Sequence, residues 1–569
     1  MNPHVYTSHV GYLPQSPKRA MVSDKYADQT DFHVWECRWP LKEAFSGKME
    51  TCETPWGRFG VCDFSNLTTP GTYQVQVGDD VARSFPFMVK EDVYAKTFRM
   101  AFDFFHVKRC GVEVPGYHPA CHLDDAVVRE SGEQIDTTGG WHDAGDLRKW
   151  MVSSQFAVYA MLDMYERLRP DWNTFDHQFG DIPGEARWEL DYHHKMQNPE
   201  TGEVYHDTAG GVAGDNTDNH WTDNILGSGD ERYVSSKNMA IIQWQFVAVQ
   251  AKASRAFAQA DPPYARTCRE AALRCLAALE FQPSGTVFVD GWATIACMEM
   301  QRVMGEDPWL DRARSFADSL LRCQCRDYAF GQDQVRGFFF SDPGQGQIHK
   351  HHALTGCYIQ ALAMMALHDP DASRRECYAD AVRIWFHDYI EPITRLNPFR
   401  LVPYGLYRNP LADGARCHPL AGELSYRYFT WREASSPEKA AEEKETFEHG
   451  GSSHILSQAA AMMLASRLPG LEDARQLALH QLEWIMGANP LAMCLMTGGG
   501  VNTPWPHSYH VGLIPGGILN GFIGHHEDIP FVAENPGPAH WQSTEYWLPH
   551  NANYLWIIGM LYQGTKVVV

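Results

Sequence analysis

The sequence contains no long hydrophobic run and few positive charges for its length. No stretch approaches the roughly 18 apolar residues of a membrane-spanning helix, and the N-terminus lacks a basic start followed by an apolar segment. Lysine and arginine number 48 against 70 aspartates and glutamates, which gives a formal net charge of −22. An acidic surface without a basic cluster repels a phosphate backbone. We therefore expect a cytoplasmic protein with neither a membrane segment nor a nucleic-acid partner.

The sequence also lacks a compact disulfide framework. Its 14 cysteines are scattered along 569 residues, a pattern typical of reduced, buried thiols. Aromatic residues, by contrast, are plentiful: the chain has 18 tryptophans and 24 tyrosines, whose flat faces suit ring-shaped ligands. Hydrophobic residues make up 44% of the chain, so a large core can form.

Two regions of the chain differ in their hydrophobic pattern. Residues 1 to about 90 show short alternating segments broken by turn signals, which predict a small β-sandwich. From about residue 94 onward helical periodicity dominates, and many helices joined by long loops favour an all-α toroid. The clearest predicted helices are 148–168, 186–197, 238–260, 265–281, 308–325, 352–368, 371–393, 453–467, 471–487 and 545–563. We predict two domains, 1–92 and 93–569, with function in the long loops of the second.

The segment Gly139–Asp146, of sequence GGWHDAGD, is the strongest candidate for chemistry. It places Asp143 and Asp146 three residues apart in a glycine-rich turn, where paired carboxylates can orient and deprotonate a water molecule. Trp141 offers an aromatic face of the kind that stacks on a sugar ring. The competing interpretation is a solvated Asp-Gly turn.

A second candidate is Glu545, at the start of the last predicted helix. Ser543 or Thr544 is expected to cap that helix, which leaves Glu545 in its first turn among aromatic residues. An apolar surrounding raises the pKa of a carboxyl group, whereas a helix N-terminus lowers it. If the first effect dominates, Glu545 can serve as a general acid. Otherwise it merely complements the helix dipole.

Cys110, Cys121, His122 and His142 form a candidate metal site. Two thiolates and two imidazoles satisfy tetrahedral zinc, and four protein ligands leave no open position, so the role would be structural. The alternative is a buried cysteine pair with unrelated histidines. The segment Gly227–Glu231 predicts either a cation-binding loop or simple turn chemistry, and we favour the turn.

These residues together resemble glycoside hydrolase family 9, in the subgroup with an N-terminal immunoglobulin-like domain. The matching motifs are His9–Pro14, Asp63–Ser65, Pro70–Tyr73, Phe104–Gly111, Pro119–Asp125, Gly139–Asp146 and Ile182–Trp188. The resemblance implies an (α/α)6 barrel in which Asp146 is the general base, Asp143 helps to hold the water and Glu545 is the general acid. It also places Cys110, Cys121, His122 and His142 where zinc-bearing members have their ligands.

Two departures from the family pattern concern the substrate. The loop Pro506–His510 keeps one histidine, His507, of the family's Pro-His-His-Arg motif and lacks the arginine, and Thr544 replaces the asparagine before the acid. We expect Trp141, His507 and Tyr546 to contact substrate.

The predicted function is an inverting, exo-acting β-1,4-glycosidase on short oligosaccharides. Glucosamine-containing disaccharides from chitin are the favoured substrates, because acidic groups without the arginine suit an ammonium. The first alternative is a cellodextrinase or endoglucanase acting on β-1,4-glucans. A zinc-dependent hydrolase and a non-catalytic sugar-binding protein on the same fold are two further alternatives. No organic cofactor is expected, and the sequence does not indicate an oligomeric state.

Overall fold

The computed structural model covers most of both regions. It describes residues 4–78, 82–168, 182–210, 219–305, 308–327, 335–342, 344, 346–354, 356–408, 411, 414–431, 449–508, 510–533 and 540–563. Tyr509 of the Pro506–His510 loop lies outside these residues. None of the described helices combines the length and the apolar character needed to cross a membrane.

The N-terminal region forms a β-sandwich. Its strands are β1 Val5–Tyr6, β2 Gly11–Tyr12, β3 Arg19–Val22, β4 Asp31–Glu36, β5 Lys42–Lys48, β6 Glu50–Thr54, β7 Gly57–Asp63, β8 Gly71–Val77, β9 Ala82–Arg83 and β10 Phe87–Val89. One sheet has the order β1-β3-β7-β6 and the other the order β2-β10-β8-β4-β5, with β9 beside β8. Alternate side chains of both sheets, such as Val34 and its cross-strand partner Val75, are buried between them. The predicted sandwich is confirmed.

The sandwich docks on the helical region through a tryptophan. Trp56 lies between β6 and β7, and its indole N–H donates to the carbonyl of Asp528 at 2.9 Å. Its ring lies 4.5 Å from that of Tyr428 and 5.8 Å from that of Trp484. Aromatic contacts of this kind stabilise an interface beyond the apolar area they bury.

The second region is mainly helical, as predicted. Its helices are α1 Ala95–Val107, α2 Met151–Leu168, α3 Ile182–Lys195, α4 Ala240–Phe257, α5 Pro262–Ala277, α6 Val287–Met304, α7 Trp309–Cys323, α8 Cys357–His368, α9 Ala372–Trp385, α10 Glu391–Thr394, α11 Ser452–Ala465, α12 Asp473–Ile485, α13 His540–Thr544 and α14 Leu548–Leu561. Each predicted helix coincides with an observed one to within a few residues.

Six of the described helices contact one another in a closed cycle, in the order α2, α4, α6, α8, α11, α14 and back to α2. Helices α3, α5, α9, α12 and α1 each pack against one member of this cycle, and α7 packs mainly against α6 and also touches α8. Every residue of α11 and α14 is buried, since these helices face neighbours on all sides. The core of the region therefore lies between the inner helices.

One inner helix, Val287–Met304, is missing from the predictions. Its sequence is apolar nearly all round and contains Gly291, so it lacks the polar stripe that marks an amphipathic helix. Burial, rather than periodicity, determines its structure.

The long segments between helices carry short strands. These are β11 Val127–Val128, β12 Lys149–Trp150, β13 Asp207–Ala209, β14 Tyr233–Val234, β15 Phe340–Asp342, β16 Gln347–Ile348, β17 Gly405–Arg408, β18 His418–Ala421 and β19 Leu424–Arg427. Strands β11, β14, β13 and β12 form one small sheet in that order. Because β12 directly follows the segment Gly139–Asp146, this sheet fixes one end of the candidate catalytic loop.

Candidate active site

The glycine pair at the start of the catalytic loop allows a close packing of chains. Gly139 and Gly140 have φ values of 93° and 74°, in the left-handed region that favours glycine. A Cβ atom on Gly140 would lie 2.7 Å from the ring of Tyr192. The carbonyl of Gly140 accepts a hydrogen bond from the backbone N–H of Cys110 at 2.7 Å. The loop is thereby held against the segment that carries the first candidate metal ligand.

Trp141 lies beneath this loop rather than in a cleft. Its side chain is fully buried, and its indole N–H donates to Glu185 at 2.9 Å. Its ring packs 5.0 Å from that of Phe105. The prediction that Trp141 stacks on a sugar is therefore wrong, because burial in the core leaves it no face for a ligand.

The two aspartates of the loop occupy different environments. Asp143 is buried and its Oδ1 has no hydrogen-bond partner among the described residues, whereas Asp146 is half-exposed. A tight turn joins them, since the N–H of Arg148 donates to Asp146 at 3.1 Å and the N–H of Asp143 donates to the carbonyl of Arg148 at 2.9 Å. Burial, reinforced by the charge of Asp146, raises the pKa of Asp143 well above its usual value. Asp146 is thus the carboxylate that meets solvent.

Glu545 does not lie in the first turn of the last helix. It occupies an extended segment between α13 and α14, and no side chain caps α14. The hydroxyl of Thr544 donates instead to the carbonyl of His540 at 2.8 Å. The N–H of Asn520 donates to the carbonyl of Glu545 and the N–H of His507 to that of Thr544, both at 2.9 Å. Neighbouring backbone, rather than a helix terminus, positions the acid.

The Glu545 carboxyl group meets the catalytic loop. It accepts hydrogen bonds from the indole N–H of Trp547 at 2.8 Å and from the backbone N–H of Gly145. Burial, followed by the charge of Asp146, raises the pKa of Glu545 to about 8 against the opposing effects of these donors and of Lys108. Glu545 is consequently protonated at neutral pH.

Gly145 and the start of α14 bring the two halves of the site together. A Cβ atom on Gly145 would lie 2.9 Å from Glu545 Cγ and closer still to the carbonyl oxygen of His507. In addition, the N–H of Leu548 donates to the carbonyl of Asp143 at 2.9 Å. The structure therefore brings Asp143, Asp146 and Glu545 together, as the family resemblance implies, although about four hundred residues separate the aspartates from the glutamate.

Lys108 is a buried cation behind the three carboxyl groups. Its ammonium donates to the carbonyl of Ala144. Burial lowers its pKa to about 8, while the charges of Asp146, Asp143 and Glu545 oppose that shift. No motif in the sequence points to Lys108, which lies outside the Gly139–Asp146 segment.

The predicted substrate contacts have separate outcomes. His507 lies beside the acid, with its ring 4.2 Å from that of His540, so its contact with substrate stays a prediction. Tyr546 is fully buried, and its hydroxyl accepts a hydrogen bond from the N–H of Ile514 at 3.1 Å. The prediction that Tyr546 touches substrate is wrong, because alternate residues of an extended chain face opposite ways and Tyr546 faces the core.

The four candidate metal ligands converge. One donor atom from each of Cys110, Cys121, His122 and His142 lies within 4.8 Å of all the others, and all four residues are buried. His142 Nδ1 lies 2.7 Å from the carbonyl of Leu147, and His122 Nε2 lies 3.0 Å from that of His220. Since those nitrogens donate, His142 Nε2 and His122 Nδ1 keep lone pairs that face the cysteines at 3.5 and 3.6 Å. Two thiols and two correctly oriented imidazoles fit a zinc ion.

Comparison with known proteins identifies the architecture. Residues 94–321 match a family model described as "Glycosyl hydrolase family 9". Residues 1–82 match a second model, described as "Cellulase N-terminal ig-like domain". The chain belongs to glycosyl hydrolase family 9. Its N-terminal sandwich is accordingly the immunoglobulin-like domain predicted for that family.

Two curated relatives and one solved structure illustrate the relationship. A cellodextrinase from Butyrivibrio fibrisolvens is 32% identical over 36% of this chain and 39% of its own length. Endoglucanase D from Acetivibrio thermocellus is 26% identical over 55% of this chain and 54% of its own length. The chain thus spans about half or less of these relatives. The crystal structure of a zinc-binding triple mutant of the family 9 endoglucanase J30 shares the fold with a TM-score of 0.71, at 20% identity, over 96% of this chain and 99% of that one.

Trp547, like Lys108, is a residue of the candidate site that the sequence did not reveal in this family 9 chain. Its backbone is extended, with φ −132° and ψ 132°. In an extended chain residues two apart face the same way, whereas in a helix they do not. Placing Glu545 in a helix therefore hid its hydrogen-bond donor.

Proposed function

We propose that this chain is an inverting β-1,4-glycosidase that hydrolyses short glucan oligosaccharides from one end. The observation that carries the proposal is a protonated carboxyl group, Glu545, next to the half-exposed carboxylate of Asp146. A general acid and a general base in one pocket are what inverting hydrolysis requires. The closed cycle of inner helices also supports an (α/α)6 barrel as the scaffold.

In the proposed reaction Asp146 accepts a proton from water while the water oxygen attacks the anomeric carbon. The Glu545 proton passes to the glycosidic oxygen as the bond to the anomeric carbon breaks, so the product forms with inverted configuration. Asp143 holds the turn that aims Asp146, through its backbone bonds to Arg148 and Leu548.

We further propose that Cys110, Cys121, His122 and His142 hold a structural zinc ion. Bound zinc would supply a cross-link between two loops, and no catalytic step requires it. A triple mutant of the J30 endoglucanase that is described as zinc-binding supports this proposal. If the role is structural, chelation lowers activity and the melting temperature together. Loss of activity with unchanged stability would instead indicate a zinc-dependent hydrolase.

The relatives favour glucan over amino-sugar substrates. One is named a cellodextrinase and the other an endoglucanase, which supports the cellodextrinase or endoglucanase alternative rather than the chitin-derived disaccharides first favoured by the altered loop. The amino-sugar interpretation rests on the missing arginine of Pro506–His510 and on the acidic charge balance of the chain.

The decisive experiment is hydrolysis of a small panel, with the product anomer followed by NMR. The panel contains cellobiose, cellotriose, chitobiose and glucosaminyl disaccharides. We expect cellodextrins to be cleaved fastest and the α-anomer to appear first. Early β-anomer would refute inversion, and preference for a glucosaminyl substrate would refute the glucan assignment.

Two variants test the roles of the carboxyl groups. Glu545→Gln and Asp146→Asn should each lower kcat by about 10²–10⁴-fold while sugar binding persists. Asp136→Asn, which neutralises an exposed carboxylate in the segment before the loop, is the matched control and should be neutral. Unchanged turnover in the first two variants, or a wild-type protein that binds sugar without cleaving it, would overturn the proposal in favour of a sugar-binding protein.

A further inference from the structure

Three aspartates converge next to the candidate zinc site, the zinc-type site formed by Cys110, Cys121, His122 and His142. Asp124 follows the candidate ligand His122 by two residues, while Asp223 and Asp230 lie in the segment 219–231. One carboxylate oxygen from each lies within 4.8 Å of the other two. Asp124 is buried, Asp223 is exposed and Asp230 is half-exposed, so the cluster opens from the interior towards solvent.

Asp124 has an oxygen without a partner. Its side chain has 0% exposure, and its Oδ1 accepts a hydrogen bond from the hydroxyl of Thr222 at 2.6 Å. Its Oδ2 is buried and has no hydrogen-bond partner among the described residues. A buried carboxylate oxygen without a donor is strongly unfavourable, and it therefore indicates a cation that would satisfy it.

The chain supplies no such cation itself. In the described part of the protein no lysine or arginine forms an ion pair with Asp124, Asp223 or Asp230, in contrast to the adjacent Asp125. Asp125 is paired with Lys149 at 2.7 Å and with Arg232 at 2.6 Å. Of two consecutive buried aspartates, Asp125 is neutralised by basic side chains, whereas Asp124 meets the Thr222 hydroxyl and two further carboxylates.

Turn chemistry accounts for part of the cluster only. Asp223 accepts from the N–H of Ile225 at 2.8 Å and Asp230 accepts from the hydroxyl of Ser228 at 2.8 Å, as turn-forming aspartates do. Asp124 belongs to a different segment, and its free oxygen has no role in that turn. The favoured interpretation of Gly227–Glu231 as a simple turn is thus incomplete.

We propose that Asp124, Asp223 and Asp230 bind a calcium ion. Hard divalent cations prefer carboxylate oxygens, and calcium tolerates the irregular geometry of ligands drawn from two loops better than magnesium does. The site differs from the Cys/His cluster, whose soft donors suit zinc.

A cation at this position would tie the segment 219–231 to the zinc-type site. His122 Nε2 donates a hydrogen bond to the carbonyl of His220 at 3.0 Å. The Nε2 of His220 in turn donates to the carbonyl of Asp230 at 2.6 Å. Fixing Asp230 against Asp124 therefore also fixes the partner that orients His122. The proposal is independent of the reaction that the protein catalyses.

Terbium luminescence tests the site in the full-length, zinc-saturated protein. Terbium replaces calcium at oxygen sites, and Trp221, next to Thr222 in the chain, is suited to sensitise its emission. We expect tryptophan-excited emission that calcium displaces, and a melting temperature that rises when calcium is added. Absence of emission, or emission that calcium does not displace, would overturn the proposal.

Substitutions test whether the bound ion contacts the three aspartates. Asp124→Asn and Asp223→Asn should each weaken calcium binding by about tenfold or more, since affinity follows the number of charged ligands. Asp223 is exposed, so its variant should fold even if that of Asp124 does not. Glu231→Gln is the matched control, because Glu231 only accepts backbone N–H bonds from Gly227 and Gly229 within the same loop. Equal binding by wild type and Asp223→Asn, or equal loss in Glu231→Gln, would refute the site.

Discussion

Replacing Trp547 by phenylalanine should move the basic limb of the pH–rate profile upwards. The change keeps an aromatic ring but removes the indole N–H that donates to Glu545 Oε2 at 2.8 Å. That bond stabilises the ionised carboxylate, so its loss raises the pKa of Glu545 above its value of about 8. A hydrogen bond to a charged group contributes about 1.5–3 kcal/mol, and one pKa unit corresponds to about 1.4 kcal/mol. We therefore expect an upward shift of about one to two units.

The measurement is kcat/KM against pH, which reports the ionisation of the free enzyme. Activity should persist to higher pH, while its plateau falls because a weaker acid donates its proton less readily. Trp556→Phe is the matched control: its indole N–H also donates to a buried carboxylate, Asp163, at 2.7 Å, but two to three helical turns further along α14. The Trp556→Phe variant should lose stability without moving the basic limb of the pH–rate profile. If the basic limb of the Trp547→Phe profile stays in place or moves to lower pH, Glu545 is not a general acid whose pKa is lowered by the hydrogen bond from Trp547.

Three further predictions follow from single contacts. Gly145→Ala should abolish most activity with little change in circular dichroism, because its Cβ would push against the carbonyl of His507; full activity would contradict the close approach. Trp141→Phe leaves Glu185 without one donor, so urea unfolding should show a loss of about 1–3 kcal/mol, and an unchanged unfolding midpoint would contradict the buried position. Trp56→Ala removes the aromatic contact of the sandwich with the helical region and should lower the free energy of unfolding by about 3–5 kcal/mol if the site does not collapse. Differential scanning calorimetry should then resolve two transitions. A single unshifted transition would argue against docking through this residue.

Local sequence patterns predicted most of the fold because most helices carry a polar stripe. Helix Trp309–Cys323 shows this clearly, with exposed charged positions between buried apolar ones. Val287–Met304 escaped although the inner helices Ser452–Ala465 and Leu548–Leu561, which are buried at every residue, were predicted, so burial alone does not explain the omission. The closed cycle of helices depends on contacts between distant segments, which periodicity does not encode.

The catalytic loop was predictable because its reacting groups lie close together in the sequence, whereas the residues that surround it come from distant segments. Asp143, Asp146 and the glycines lie within eight residues, so their chemistry is visible in the sequence. The burial of Trp141 depends on Glu185 and Phe105, which reach it from other segments. Motif reasoning therefore identified the reacting groups but assigned the wrong role to an aromatic neighbour.

The geometry of the site also links the two proton transfers of the proposed reaction. The charge of Asp146 is one of the causes that raise the pKa of Glu545 to about 8. When Asp146 takes a proton from the attacking water, that charge disappears and the pKa of Glu545 falls. The hydrogen bonds from Trp547 and Gly145 then favour the Glu545 carboxylate without opposition from a neighbouring anion. Glu545 thus becomes a stronger acid at the moment when the leaving oxygen needs its proton. Asp146→Asn should accordingly lower the pKa of Glu545 as well as remove the base, a shift that NMR titration of the carboxyl group can measure, and an unchanged pKa would refute the coupling.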